Sequence, residues 1–132
     1  MTVMAVVTTT KRKSLGDFGE RLAIQHLEAT GYRIVARNHR TRYGEIDVIA
    51  IRGDALVFAE VKCRRGTRMG SASASITPTR AARMVALAEA YAAERPGLPP
   101  NHRIDVIAVD LLPDGRVLPL QHIENAVLPG EN

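Results

Sequence analysis

Tryptophan is absent from this chain of 132 residues, and Phe, Tyr and Trp together make up only 4% of it. The core must therefore be built from Val, Ile, Leu and Ala. Cysteine occurs once, at Cys63, which excludes an internal disulfide and a zinc site assembled from several thiolates. The four histidines (His26, His39, His102 and His122) are scattered, with no pair at helical metal-binding spacing. No apolar run approaches the roughly 20 residues needed to span a bilayer, so no membrane partner is expected. Met1–Val7 is too short for a signal-peptide core, and no small-residue cleavage site follows it. The basic run Lys11–Lys13 comes after the apolar residues, the wrong order for a secretory signal. A reducing, cytoplasmic location is the default expectation.

What is present is ordinary for a single globular domain: 45% apolar and 24% charged residues, in a length that leaves little room for two domains. The formal charge is +4, but it is unevenly spread. Residues 1–83 hold 15 basic and 7 acidic side chains, a net of +8, and residues 84–132 hold 3 and 7, a net of −4. A basic front and an acidic back point to a surface that faces a polyanion, nucleic acid first. The plain alternative is a solvated surface with chance clustering.

Residues 1–13 read as a loose basic tail, 14–125 as the folded domain and 126–132 as a C-terminal tail. Ser14 opens a helix with Asp17 three residues on, a weak capping box, and Gly31 is placed to stop it. Leu15, Phe18, Leu22 and Ala29 share one face, widened by Ala23, Ile24 and Leu27. Glu20 falls on this apolar arc, where an acid needs a partner or access to water. Tyr32–Arg37 reads as a strand, 38–44 as a polar loop, and Glu45–Arg52 and Ala55–Lys62 as a hairpin turning at Gly53-Asp54. Cys63–Ser75 reads as a loop. Thr77-Pro78 marks a helix start, and Ala81, Met84, Val85, Ala88, Tyr91 and Ala92 form its apolar stripe. Arg103–Leu112 and Arg116–Ile123 are the last strands, the second demoted to the sheet edge by Pro119. The order αβββαββ predicts a single α/β domain: a mixed central sheet flanked by helices, with a right-handed crossover joining two parallel strands.

The hairpin carries the chemistry. A two-residue turn sets Asp47 opposite Glu60 and Glu45 opposite Lys62 on one face. Ile46, Val48, Ala50, Val57, Ala59 and Val61 then line the other as core. Opposed carboxylates repel unless something positive lies between them. A divalent cation such as Mg²⁺ is the economical answer. The alternative is a surface charge network bridged by Lys62, which does not account for acids embedded in strands this apolar. Cys63 points away from the Glu60–Lys62 face as a small hydrophobe.

The spacing of Asp47 and Glu60-Val61-Lys62 resembles the PD-(D/E)xK nucleases. The ordered motifs Gly16-Asp17-Phe18-Gly19-Glu20, Gly44-Glu45-Ile46-Asp47-Val48-Ile49-Ala50, Phe58-Ala59-Glu60-Val61-Lys62-Cys63-Arg64 and Arg103-Ile104-Asp105-Val106 resemble the UPF0102 (YraN-like) family over about residues 14–125. The resemblance implies a restriction-endonuclease-like core, similar to archaeal Holliday junction resolvases. It also gives Glu20 a place near a metal cluster. Relatives usually show Lys-Gln after the Thr-Pro helix start, where this chain has Arg80-Ala81. The missing amide removes a contact to metal water or phosphate and leaves the main carboxylates untouched.

The expectation is a metal-dependent endonuclease acting on nucleic acid, DNA more than RNA, with structured or branched DNA included. Asp47 and Glu60 hold Mg²⁺ or Mn²⁺ with the Val61 carbonyl and Glu20 or Glu45. Lys62 orients water or stabilises developing charge. Arg40, Arg42, Arg64, Arg65 and Arg68 flank the hairpin as phosphate contacts. Arg80 and Arg83 oppose the macrodipole in the first turn of the second helix, a mismatch that a phosphate would offset. The rival readings are a nucleic-acid-binding module that does not cut and a subunit of a DNA-processing assembly. Cutting of both strands would favour a homodimer.

Overall fold

The structure, a computed structural model, describes residues 12–66 and 76–126. The chain runs α1 (Arg12–Ala29), β1 (Arg33–Thr41), β2 (Gly44–Arg52), β3 (Ala55–Arg65), α2 (Pro78–Ala93), β4 (Asn101–Leu111) and β5 (Gln121–Ile123). This is the predicted αβββαββ order in a single α/β domain. The strands form one mixed sheet in sequence order. β3 and β4 run parallel and the other neighbours antiparallel. A parallel pair needs a crossover long enough to bring the chain back, and α2 lies in that connection. Among the described residues no helix is long and apolar enough to cross a membrane. Residues 1–11 and 127–132 of the expected tails, and 67–75 of the expected loop, lie outside the described residues.

Local chemistry fixes the helix ends. α1 starts at Arg12, two residues before the predicted Ser14. It closes with the Tyr32 amide donating to the Leu27 carbonyl (2.9 Å) and the Gly31 amide to that of Glu28 (3.2 Å). Gly31 sits at φ +96°, a left-handed conformation that costs glycine little. Tyr32 is thereby turned into the core beside Leu27. At α2, the Thr77 hydroxyl accepts the Arg80 amide at 3.1 Å and Pro78 takes the first helical position, as predicted.

The sheet is covered on both sides. Met84, Leu87, Ala88 and Tyr91 of α2 pack on Ile46, Ile49, Leu56, Phe58 and Ile104. Ala23 and Leu27 of α1 pack on Val48, Ala50, Val57, Ala59 and Ile107, and Phe18 on Val109 and Leu111. Gly19 lets α1 lie directly on β3: a Cβ there would stand 2.6 Å from Cys63 Cβ. Cys63 is half-buried against Phe18, Val109 and Leu111, and burial pushes its thiol up to about 11, so it behaves as the expected small hydrophobe.

Several strand boundaries differ from expectation. β1 continues through Thr41, where a loop was predicted from Asn38. It pairs on one side only, with β2, and such a strand can expose polar side chains. β3 runs to Arg65, beyond the predicted Lys62. β4 starts at Asn101 and ends at Leu111 rather than spanning Arg103–Leu112. The last strand is reduced to Gln121–Ile123, with a lone bridge between Leu111 and Val117. Pro119 falls between the two and has no amide to donate.

Candidate metal centre

The hairpin register is the predicted one: Arg52 pairs with Ala55, Ile51 with Leu56, Ala50 with Val57, Ile49 with Phe58 and Val48 with Ala59. The ladder stops there, and the expected Asp47–Glu60 and Glu45–Lys62 oppositions lie beyond its last pair. On the other side of β2, Arg37 pairs with Val48 and His39 with Ile46, but Asn38 and Asp47 between them form no pair. Both ladders are therefore interrupted at Asp47. Asn38 stands at φ +51°, a conformation Asn tolerates better than most residues. The Val61 amide donates to Asp47 Oδ2 at 2.8 Å. A side-chain acceptor thus takes an amide proton at the point where β2 and β3 leave their ladder. The alternation of faces slips here too. Ile46 packs under α2 with Ile49, not with Val48 and Ala50 as predicted.

Asp47 is at the centre of the negative charge. Burial raises its carboxyl to about 6, opposed by the Val61 amide and reinforced by the charges of Glu60, Glu45 and Glu20. Each of these carboxylates comes from a different place in the fold. Glu60 follows Ala59, the last residue of β3 paired with β2, Glu45 is the second residue of β2, and Glu20 lies one residue after the Gly19 contact on α1. Glu20 is buried and accepts from Asn38 Nδ2 at 2.9 Å, with Arg37 Nη2 at 3.7 Å. The acid on an apolar helix face thus has the partner its burial requires.

The cations distribute among these acids. Arg80 Nη2 lies 2.7 Å and Nε 3.2 Å from Glu60 Oε1, and Nη2 also donates to the Glu45 carbonyl at 3.2 Å. The cation that seemed misplaced in the first turn of α2 therefore faces a protein carboxylate. Arg40 pairs with Glu45 at 3.3 Å. Glu45 thus turns to Arg40 instead of Lys62. Partial burial lowers the Lys62 ammonium, helped by Arg64 and opposed by Glu60. Arg65 donates twice to the Pro113 carbonyl, at 2.9 and 3.2 Å, so its guanidinium braces the turn after β4. Arg42, Arg64 and Arg83 are exposed, and Arg68 lies outside the described residues.

Among the described residues no group of three or more His, Cys, Asp or Glu side chains is placed to hold a metal ion. A magnesium-type ion takes only one or two carboxylates and keeps several waters, so it does not require such a group. At Val61 the contact recorded is amide donation to Asp47, and the carbonyl ligation expected from the resemblance is a separate matter.

A second polar cluster was not visible in the sequence. Asp105 of β4, fully buried, accepts from Arg103 Nε and Nη2 (both 2.9 Å) and from the Asn125 amide (2.9 Å), and it faces His122 Nε2 at 2.8 Å. Arg103 Nη2 also reaches the Tyr32 hydroxyl at 2.5 Å. His122 Nδ1 lies 2.9 Å from His26 Nε2 on α1. The histidines that look scattered in sequence are thus partly paired in space. The partners hold Asp105 below its ordinary pKa despite its burial. Its repeated context, Ile-Asp-Val-Ile-Ala in both β2 and β4, was the only hint.

A mixed five-stranded sheet with one helix on each face, carrying its acids at the broken end of a central hairpin, is consistent with the nuclease-like class of α/β domains. The chain belongs to a defined family: residues 19–109 match the model described as "Uncharacterised protein family UPF0102". It is 46% identical over 114 residues to UPF0102 protein STH1475 of Symbiobacterium thermophilum, covering 86% of this chain and 96% of that relative. It is 46% identical over 101 residues to a UPF0102 protein of Mycolicibacterium vanbaalenii, covering 76% and 84%. A third, from Pelotomaculum thermopropionicum, is 45% identical over 115 residues, covering 87% and 96%.

Proposed function

We propose that this protein is a divalent-metal-dependent endonuclease that hydrolyses phosphodiester bonds in nucleic acid, DNA in preference to RNA, including structured or branched DNA. The observation that carries this reading is Asp47 at the point where both ladders of β2 are interrupted, its Oδ2 2.8 Å from the Val61 amide, where burial and the charges of Glu60, Glu45 and Glu20 raise its carboxyl to about 6. Such concentrated and partly desolvated negative charge is costly to a fold, and sites of this kind are commonly functional.

Asp47 and Glu60 are the principal ligands for Mg²⁺ or Mn²⁺, assisted by the Val61 carbonyl and by Glu20 or Glu45. When bound, the ion supplies Lewis acidity toward the phosphate and toward a water. Lys62, two residues beyond Glu60, orients the attacking water and offsets charge that develops on the phosphoryl oxygens. Arg40, Arg42, Arg64 and Arg83 contact backbone phosphates, which sets affinity and its dependence on salt.

One observation favours a second reading, in which the domain binds nucleic acid without cutting it. Arg80 already occupies Glu60 Oε1, and a permanent ion pair there would leave Asp47 without its main co-ligand. Cleavage assays on single-stranded, duplex and branched DNA and on RNA, with Mg²⁺ or Mn²⁺, separate the two. Metal-dependent products support the endonuclease. Salt-sensitive binding without products in either metal supports the binding module.

A further inference from the structure

Resting on the nucleic-acid reading above, we infer that the tip of the β1–β2 hairpin is a stacking platform for an unpaired nucleobase, with Tyr43 as the platform. The substrate class this defines is a strand whose bases are unpaired beside the phosphate held at the acidic centre. Tyr43 is 68% exposed, the most exposed of the large hydrophobic side chains described. A tyrosine at a turn of this kind covers no core. Its ring carries the Arg42 guanidinium at 5.1 Å from the centroid, a cation–π contact that fixes the ring's orientation.

The tip is rigid. Thr41 Oγ1 accepts the Tyr43 amide at 3.0 Å and donates to the Gly44 carbonyl at 3.1 Å. Gly44, at φ +144°, is pressed onto α2, where a Cβ would meet Leu87 Cδ1 at 3.2 Å and Arg83 Cδ at 3.4 Å. The ring therefore stands on a braced turn with Arg42 over it, Arg83 packed against the neighbouring Gly44 and Arg40 on the adjoining strand, paired with Glu45. Aromatic faces among guanidinium groups are what single-stranded nucleic acid requires. The bases stack, the phosphates pair with the cations, and no particular sequence is demanded. A paired base keeps its faces inside the helical stack and cannot use the ring.

The position is as informative as the composition. Tyr43 precedes Asp47 by four residues, about 13 Å along an extended strand, so a base on its ring belongs to a nucleotide a few steps from the phosphate at Asp47.

The test is binding of fluorescein-labelled oligothymidine and of a labelled duplex in chelator, where nothing is cut, by the wild type, Tyr43→Ala and Tyr43→Phe. Tyr43→Ala removes one stacked base and is expected to weaken single-strand binding about tenfold while duplex binding stays within about twofold. Tyr43→Phe keeps the ring and is expected to bind the single strand as the wild type does. A single strand containing 2-aminopurine should be quenched by the wild type and by Tyr43→Phe, but not by Tyr43→Ala. If Tyr43→Ala matches the wild type on the single strand, or weakens single strand and duplex equally, the platform is overturned and the nucleic-acid reading survives. If the wild type binds neither strand, the nucleic-acid reading itself fails and the platform goes with it.

Discussion

Two nitrogens of Arg80 converge on one oxygen of Glu60: Nη2 at 2.7 Å and Nε at 3.2 Å from Oε1. The same guanidinium is anchored to the Glu45 carbonyl at 3.2 Å, so Arg80 bridges the two strands at the open end of the hairpin. It supplies at Glu60 the positive charge that a metal ion would otherwise bring. On the proposed reading, guanidinium and ion would compete for one carboxylate.

Removing that competitor is expected to raise metal affinity. Arg80→Ala should bind Mn²⁺ about tenfold more tightly than the wild type by titration calorimetry, a gain of ~1.4 kcal/mol. Arg80→Lys, which keeps the charge but loses the fork, should fall between the two. Unchanged or weaker binding by Arg80→Ala would mean that Arg80 supports the site instead of competing for it.

The carboxyl of Asp47 predicts a conflict between stability and function. In the unfolded chain it titrates near 3.8, in the fold at about 6. The folded protein holds that proton more firmly, so stability from this group is greatest below the unfolded value. It falls as pH rises between the two values and stays lower above them. Asp47→Asn removes the cost and keeps an acceptor for the Val61 amide. In chelator at neutral pH the variant should be more stable by about 1–3 kcal/mol, since each pKa unit is worth ~1.4 kcal/mol. Urea unfolding reads this directly, and a loss of stability would contradict it.

The histidine pair gives an opposite dependence on pH. Burial, then the His122 charge, lowers the His26 imidazole below its ordinary 6.5. Asp105, Arg103 and Tyr32 hold the His122 end of the chain of contacts. The unfolded state takes up the proton first, so the stability contributed by neutral His26 is whole above 6.5. It declines as pH falls through the window between 6.5 and the lower folded value. His26→Gln should flatten the fall in melting temperature across that window. An unchanged profile would place the sensitivity elsewhere.

Much of this fold was legible because periodicity and turn chemistry are local. The α2 stripe, the Thr77-Pro78 cap and the Gly53-Asp54 turn each declare themselves within a few residues, and together they set the αβββαββ order and the hairpin register. β1 was cut short because Asn38-His39-Arg40-Thr41 is polar, and nothing local announces that a strand at the sheet edge can carry such residues. The acids were legible as types at a spacing, but not the interruption at Asp47, which depends on Asn38 and on the Val61 amide from two other strands. Arg80 left a partial trace: a cation where the helix dipole prefers an anion signals an unseen negative partner. The phosphate expected there is the Glu60 carboxylate in the fold. The contact between His26 and His122 spans 96 residues, and neither flank carries a local sign of it.

The central claim, that the acids around Asp47 serve metal-dependent phosphodiester hydrolysis, is tested most directly by one assay. Cleavage of end-labelled branched DNA in Mg²⁺ is followed for the wild type and for Asp47→Asn, the variant expected to be the more stable of the two. Metal-dependent products are expected from the wild type and none from Asp47→Asn. Equal cleavage by the two proteins would contradict the claim, as would a wild type that binds the DNA and leaves it intact in both Mg²⁺ and Mn²⁺.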